Sequence, residues 1–281
     1  MKLIAIDLDG TLLSDDGTIS LENRNAIYEA QKNNNIIVIS SGRSLHDTRQ
    51  ILKQADIECP FITGNGAMTY HSGDILQQFI IPLEVLKKIR NAIKKHNLYY
   101  EIYTNQGVYI MEEGKDLLYQ EIQELDQETD KKSAFNKVDI QYSQHGLIYV
   151  SDFHTAEFST LNPYKVFVLS FNHEKLQELR RDMTKMKDIS LTTSGREKLE
   201  IAHEQASKGN ALKFIADYFN VPLADTFAIG DNLNDISMFE IAGRGIAMEN
   251  AEQEVKERAA FITKDHNDSG VAYALRNYIL T

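Results

Sequence analysis

A chain of 281 residues can form two domains or one large one, and 42% hydrophobic with 25% charged residues is globular composition, which excludes disorder as the default. The net charge of -11, with no local basic patch, would repel a phosphate backbone, so no nucleic-acid partner is expected. The single cysteine, Cys59, rules out an internal disulfide and a zinc knuckle and fits a reducing, cytoplasmic setting; there is no basic leader with an apolar core and no long apolar run, so neither export nor a membrane span is expected.

Leu3 to Ile6 is a short apolar, β-branched run that reads as a buried strand, and it ends in Asp7, Leu8, Asp9 and Gly10. Strand side chains alternate, so residues two apart point the same way and both acids can reach one point beyond the sheet edge. A polar stretch then leads to a helix over Leu21 to Asn33, with Ser20 as N-cap and Glu22 in its first turn. Ile36 to Ile39 is a second buried strand that runs into Ser40-Ser41-Gly42-Arg43, and a helix from about Leu45 to Gln54 follows. Two successive strand-to-helix units, each with chemistry at the strand's C-terminal end, predict an α/β fold whose parallel sheet carries its site along that edge. Phe61 to Thr63 enters the small-residue turn Gly64-Asn65-Gly66-Ala67, and a hairpin pairs Met68–Tyr70 with Ile75–Ile81.

The rhythm changes at Pro82. Leu83 to His96 has a helical pattern, Tyr99–Tyr103 and Val108–Met111 read as strands, and Lys115 to Gln127 as a charged helix. From Glu128 to Ala156 the signals are weak and polar apart from Leu147–Val150. Val166–Ser170 is a strand, Glu174–Lys185 a helix, and Ile189–Thr192 and Lys198–Ile201 are strands. This predicts a small α/β unit inserted into the larger one. At Lys208 the first rhythm returns: Ser207 caps a helix from about Gly209 to Phe219, and the strand Thr226–Ile229 ends in Gly230-Asp231-Asn232-Leu233-Asn234-Asp235. A helix to about Ala242, a strand over Gly245–Met248, a helix over Ala251–Ala259, the strand Phe261–Thr263 and a helix from Ser269 to Leu280 complete the pattern.

Collected at one edge, these acids would repel: two unit charges about 4 Å apart cost roughly 4 kcal/mol at an effective dielectric near 20. A divalent cation removes that conflict. With only oxygen donors on offer, and no His or Cys at ligand spacing, Mg²⁺ is expected rather than zinc. Such an ion beside the Ser41 hydroxyl, the Gly42 amide, Lys208 and helix N-termini makes a site for a phosphate group.

Asp7-Leu8-Asp9-Gly10-Thr11, Ser41-Gly42-Arg43, Lys208 and Gly230-Asp231-Asn232-Leu233-Asn234-Asp235 resemble, in order, the four motifs of the haloacid dehalogenase-like hydrolases, and most closely the Cof-type phosphatases. Asn65-Gly66-Ala67 and Leu199-Glu200-Ile201 are also typical of Cof-type sequences. The resemblance implies a Rossmann-like core over residues 1–82 and 196–281, with an α/β cap over 83–195, since too few residues separate Asp9 from Ser41 to hold a cap there. It further implies Asp7 as nucleophile and Asp9 as general acid and base. The metal would be held by the Asp7 carboxylate, the Asp9 backbone carbonyl and Asp231, with Asp235 supporting them. Leu8, Ser41, Gly42, Lys208 and Asn234 would hold the phosphoryl oxygens. Ser41 stands where Thr is commoner, which keeps the hydroxyl.

Each motif alone has a plainer explanation: an acid pair can cap a helix, Ser41 can serve a turn, and Lys208 can be a solvated surface residue. The four in order outweigh these. Arg43 has two open roles, a phosphate contact or a loop anchor through a carboxylate. Tyr99, Tyr103 and Tyr109 either line a substrate cleft or pack on the sheet, and Arg196 and Lys198 are further candidates for an anionic leaving group. The expected activity is a Mg²⁺-dependent phosphatase of small phosphorylated metabolites such as sugar phosphates or phosphorylated cofactors. The rivals are a phosphomutase and a non-enzymatic switch or binding protein.

Overall fold

The computed structural model describes residues 1–153 and 156–280, and the chain divides into two compact units. The first comprises Met1–Arg43, Thr48–Gln78 and Ala206–Thr281; the second comprises Ser44–Asp47 and Phe79–Gln205. His154 and Thr155, within the stretch expected to carry weak signals, lie outside the described residues.

In the first unit the strands β1 (Leu3–Ile6), β2 (Ile36–Ser40), β3 (Phe61–Thr63), β4 (Met68–His71) and β5 (Asp74–Gln78) precede the inserted segment. In the second unit β6 (Tyr99–Tyr103), β7 (Val108–Met111), β8 (Leu147–Val150), β9 (Lys165–Leu169), β10 (Ile189–Thr192) and β11 (Lys198–His203) follow. The first unit then resumes with β12 (Thr226–Gly230), β13 (Arg244–Ala247) and β14 (Phe261–Ile262).

The sheet of the first unit has the order β14-β13-β12-β1-β2-β3-β4-β5, parallel up to β3 and antiparallel beyond it. All four residues of β1 are buried, as a central parallel strand covered on both faces requires. Ile6 pairs with Ile39 on one side and Ile229 on the other, so the chain leaves β1, β2 and β12 side by side at one edge. This register brings the motif loops to that edge. The crossovers are helices: α1 (Leu21–Lys32) starts where the Ser20 hydroxyl accepts the Asn23 N–H, and it buries Ala26, Ile27 and Ala30. Next comes α2 (Leu45–Gln54).

The second unit has the strand order β10-β11-β9-β6-β7-β8, antiparallel except for the β7–β8 pair. Its helices are α3 (Leu83–Lys95), α4 (Gly114–Gln123), α5 (Glu128–Tyr142), α6 (Phe158–Leu161) and α7 (His173–Met183). Leu86, Ile89 and Ile93 of α3 join Leu176, Leu179 and Met183 of α7 against Ile102, Val166, Val168, Leu199 and Ile201, forming this unit's apolar core. The opposite alternation of β6 buries Tyr99, Glu101 and Tyr103. Two expectations are corrected here. Residues 128–142 are a full helix rather than a weak stretch, and the charged helix before it stops at Gln123. The reason is visible in α5 itself, where Ala134 and Val138 are the buried residues, too few to show as an apolar stripe.

The first unit ends with α8 (Lys208–Tyr218), α9 (Ile236–Ile241), α10 (Gln253–Arg258) and α11 (Gly270–Ala274), and the last continues as a wider helical turn over Leu275–Ile279. Among the described residues, no helix is long and apolar enough to cross a membrane.

Candidate active site

The backbone N–H of Asp7 still donates to the Ile229 carbonyl at 3.0 Å, the last rung on that side of β1. The chain then reverses: the Leu8 carbonyl accepts the N–H groups of Thr11, Leu12 and Leu13, and Gly10 takes a left-handed φ of 75°. That turn leaves the Asp7 side chain buried, with its Oδ1 2.6 Å from Lys208 Nζ. Lys208 opens α8, whose first turn is capped by Ser207 accepting the Asn210 N–H at 3.0 Å. Its ammonium also lies 2.6 Å from Asp235 Oδ1, so one buried cation bridges two carboxylates that are distant in sequence.

The loop after β12 is closed by the other oxygen of Asp235, which accepts the N–H groups of Asp231 and Asn232 at 3.0 Å each. Asp231 faces the β1 turn. Its Oδ1 accepts the Thr11 hydroxyl at 2.9 Å, and a Cβ on Gly10 would come within 2.5 Å of its Oδ2, so the glycine is needed both for the positive φ and for this close approach. Asn250 Nδ2 donates to the Gly10 carbonyl at 2.8 Å and holds the same turn from another side.

Electrostatics at this edge match the crowding expected. Burial raises the Asp7 carboxyl well above the usual range; Lys208 opposes that, while Asp235, Asp231 and Asp9 reinforce it. Burial, with Asp235 beside it, pushes Asp231 up to about 7, against the pull of Thr11 and Lys208. Burial alone would lower Lys208, but Asp235 and Asp7 outweigh it and keep the ammonium protonated.

Asp7, Asp231 and Asp235 each offer an oxygen within 4.8 Å of the others. At such a separation a pair of like charges repels by roughly 3 kcal/mol at an effective dielectric near 20. One ammonium among three carboxylates leaves negative charge in excess, and every donor is a hard oxygen. The residues therefore fit a divalent cation of the Mg²⁺ type, with Asp235 the least available because Lys208 and two amides already occupy its oxygens.

Of the remaining predicted residues, Leu8 is fully buried directly after Asp7, and Gly42 follows Ser41 in the loop after β2. The buried Ser41 hydroxyl accepts the Arg43 N–H at 3.1 Å, which leaves its own hydrogen as the part to donate. Asn234 lies in the short turn Leu233–Asp235 and donates from Nδ2 to Asn65 Oδ1 at 3.1 Å. The Asp9 carboxylate stands apart from the acidic cluster: it is largely exposed and accepts from Arg43 Nε at 2.9 Å and from Nη2 at 2.6 Å. Arg43 thus takes the second of its two open roles, a loop anchor. In the second unit Tyr99 donates to Glu101 at 2.6 Å and Tyr109 packs edge-on against Phe158, so both have partners within that unit.

Sequence reasoning assigned no role to Thr11, Asn65 or Asn250. Thr11 and Asn65 stood inside quoted motifs, so a signal existed; Asn250 carried none.

Residues 4–275 match the family profile of the haloacid dehalogenase-like hydrolases. The chain is 35% identical to the phosphatase YwpJ of Bacillus subtilis over 99% of this chain and 100% of the relative. It is also 35% identical, over 97% of its length and 96% of the relative's, to the 5-amino-6-(5-phospho-D-ribitylamino)uracil phosphatase YwtE of the same organism. Among solved structures, a haloacid dehalogenase-like hydrolase from B. subtilis superposes with a TM-score of 0.87 at 35% identity, covering 99% of this chain and 100% of that one.

Proposed function

The chain belongs to the haloacid dehalogenase-like hydrolases and is a phosphoric monoester hydrolase, and from that premise we propose a Mg²⁺-dependent phosphatase of small phosphorylated metabolites that works through an aspartyl-phosphate on Asp7. The observation that carries this reading is the buried Lys208 ammonium, 2.6 Å from Asp7 and beside Asp231 and Asp235. The ionised form of Asp7, which Lys208 favours against burial, needs no separate base to attack phosphorus. Attack by Asp7 forms an Oδ–P bond as the ester P–O bond breaks. The leaving oxygen takes a proton from Asp9, which must first part from Arg43 and take up a proton from solvent. Asp9 then accepts a proton from the water that attacks the phosphorus, and the Asp7–phosphorus bond breaks to release inorganic phosphate.

Lys208, the Ser41 hydroxyl, the Leu8 and Gly42 amides and Asn234 would hold the phosphoryl oxygens as charge shifts onto them. Mg²⁺, held by the Asp7 and Asp231 carboxylates and the Asp9 carbonyl with Asp235 in support, would supply charge neutralisation. In this reading the unit built on Phe79–Gln205 is the family's α/β cap. A relative named for a phosphoribityl substrate supports sugar-phosphate-like metabolites.

The experiment is phosphate release from an aryl phosphate, with Mg²⁺ and then with chelator. Release that needs the ion and falls by at least about 10³-fold in Asp7→Asn, with the fold retained, is the expected result. Equal release by Asp7→Asn, or none by the wild type with Mg²⁺, overturns the reading.

A further inference from the structure

We propose that Asn65 is a positioning residue for the phosphate site: its side-chain oxygen sets the orientation of the Asn234 amide, and the turn it centres, Gly64–Gly66, joins the loops that carry Ser41, Lys208 and Asn234. The inference rests on the functional reading above and adds to it a residue to which no role has been assigned.

Gly64, Asn65 and Gly66 have φ values of 59°, 58° and 95°, three successive left-handed residues after β3. Glycine adopts that region freely, and asparagine is one of the few other residues that enter it readily. The turn touches three of the four motif loops, each in a different way. The Asn65 N–H donates to the Ser41 carbonyl at 3.1 Å, and the Gly64 N–H to the Arg43 carbonyl at 3.1 Å, which fixes the loop carrying Ser41 and Gly42. A Cβ on Gly66 would lie 2.0 Å from the Ser207 carbonyl, so this turn sits directly on the cap of α8 beside Lys208. The third contact is the one from Asn234 Nδ2 to Asn65 Oδ1, at 3.1 Å.

That last contact carries orientational information. A carboxamide has two N–H donors on one end and a carbonyl on the other, and either end can face a ligand. Asn65 Oδ1 only accepts, so it selects the NH₂ end of Asn234. One N–H is taken by Asn65, and the second is left to donate to an anion. Asn234 Oδ1 is meanwhile buried with no hydrogen-bond partner among the described residues, and a rotation of the amide would set that oxygen against the Asn65 oxygen. The Asn65 acceptor is what opposes that rotation. Asn65 is itself only 2% exposed, so its carboxamide is enclosed by the loops it joins.

The test is Asn65→Gly, which keeps the left-handed turn and removes the side-chain carboxamide with its acceptor, in a cycle with Asn234→Ala. For aryl phosphate hydrolysis with Mg²⁺ the expected result is a KM raised by about 10-fold, an equal rise in the inhibition constant of inorganic phosphate, and kcat within about 3-fold of wild type. In the Asn234→Ala background, Asn65→Gly is expected to change KM by less than about 2-fold. A purely structural residue would instead lower the melting temperature and the active fraction, reducing kcat at constant KM. That pattern, additive effects in the cycle, or loss of the folded state in Asn65→Gly would each overturn the proposal. An inactive wild type would overturn the phosphatase reading itself, and the two failures are therefore distinguishable.

Discussion

Lys208 is fully buried between two acids, and that arrangement separates what a residue does for stability from what it does for chemistry. An ion pair taken out of water gains little over an apolar packing of the same volume, yet removing one partner strands the other charge at a cost of about 3–5 kcal/mol. Here one lysine serves two carboxylates, so Lys208→Met strands both Asp7 and Asp235. Urea unfolding of Lys208→Met without added metal should show a loss of at least about 3 kcal/mol. A loss below about 1 kcal/mol would mean that the carboxylates take up protons and pack without their cation, and that Lys208 belongs to catalysis alone.

At the scale of elements, the strands that build the site were legible because each is a short run of apolar and β-branched residues closed by a glycine-containing polar loop, as in Leu3–Ile6 and Thr226–Gly230. The helix α5 was not, because its sheet-facing end works through polar atoms. Gln141 donates to Glu101 Oε2 at 2.8 Å, Gln144 just beyond the helix donates at 3.1 Å, and a hydrophobic count registers neither. The site shows the same division. Asp7, Ser41, Lys208 and Asp231 could be read because each motif is local, whereas the Asp9–Arg43 pair and the Asn65–Asn234 contact join loops far apart in sequence and could not. Glu101 also gives this element pair a pH dependence. Burial pushes its carboxyl up to about 7 from an ordinary 4.5, against the hydrogen bonds of Tyr99, Gln144 and Gln141 and the charge of Lys165. Between those values the folded chain holds a proton that the unfolded chain has released, so this group's contribution is fully present below pH 4.5 and is lost as pH rises to about 7. The shift corresponds to about 3 kcal/mol. Because Asp7 and Asp231 titrate in the same direction, the measurement is a difference: between pH 5 and pH 8 the wild type should lose about 3 kcal/mol more than Glu101→Gln in urea unfolding. Parallel pH profiles would refute it.

On the scale of the whole molecule, the two units hold their buried charge differently. In the second, Lys165 and Glu200 pair at 3.0 Å and Ser194 donates to the same carboxylate, while the other buried acids, Glu101 and Glu121, are held separately by neutral donors, Tyr99, Gln141 and Gln144 for the first and Ser170 and the Phe171 N–H for the second. In the first, one ammonium faces three carboxylates, and the excess negative charge is the ground for expecting a divalent cation there. An ion that binds only the folded form stabilises by mass action, about 2.7 kcal/mol at a hundred times its dissociation constant, but it slows only those openings that break its site. Hydrogen exchange can therefore locate the effect. Saturating Mg²⁺ should slow exchange in β1, β12 and the first turns of α8, leave α3, α7 and β9 unchanged, and slow none of these elements in Asp231→Asn. No slowing in β1 and β12 would remove the ion from the proposed site. Equal slowing in α3 and α7 would mean that the chain opens as one cooperative body, so that the crowded carboxylates of one unit would be felt by both.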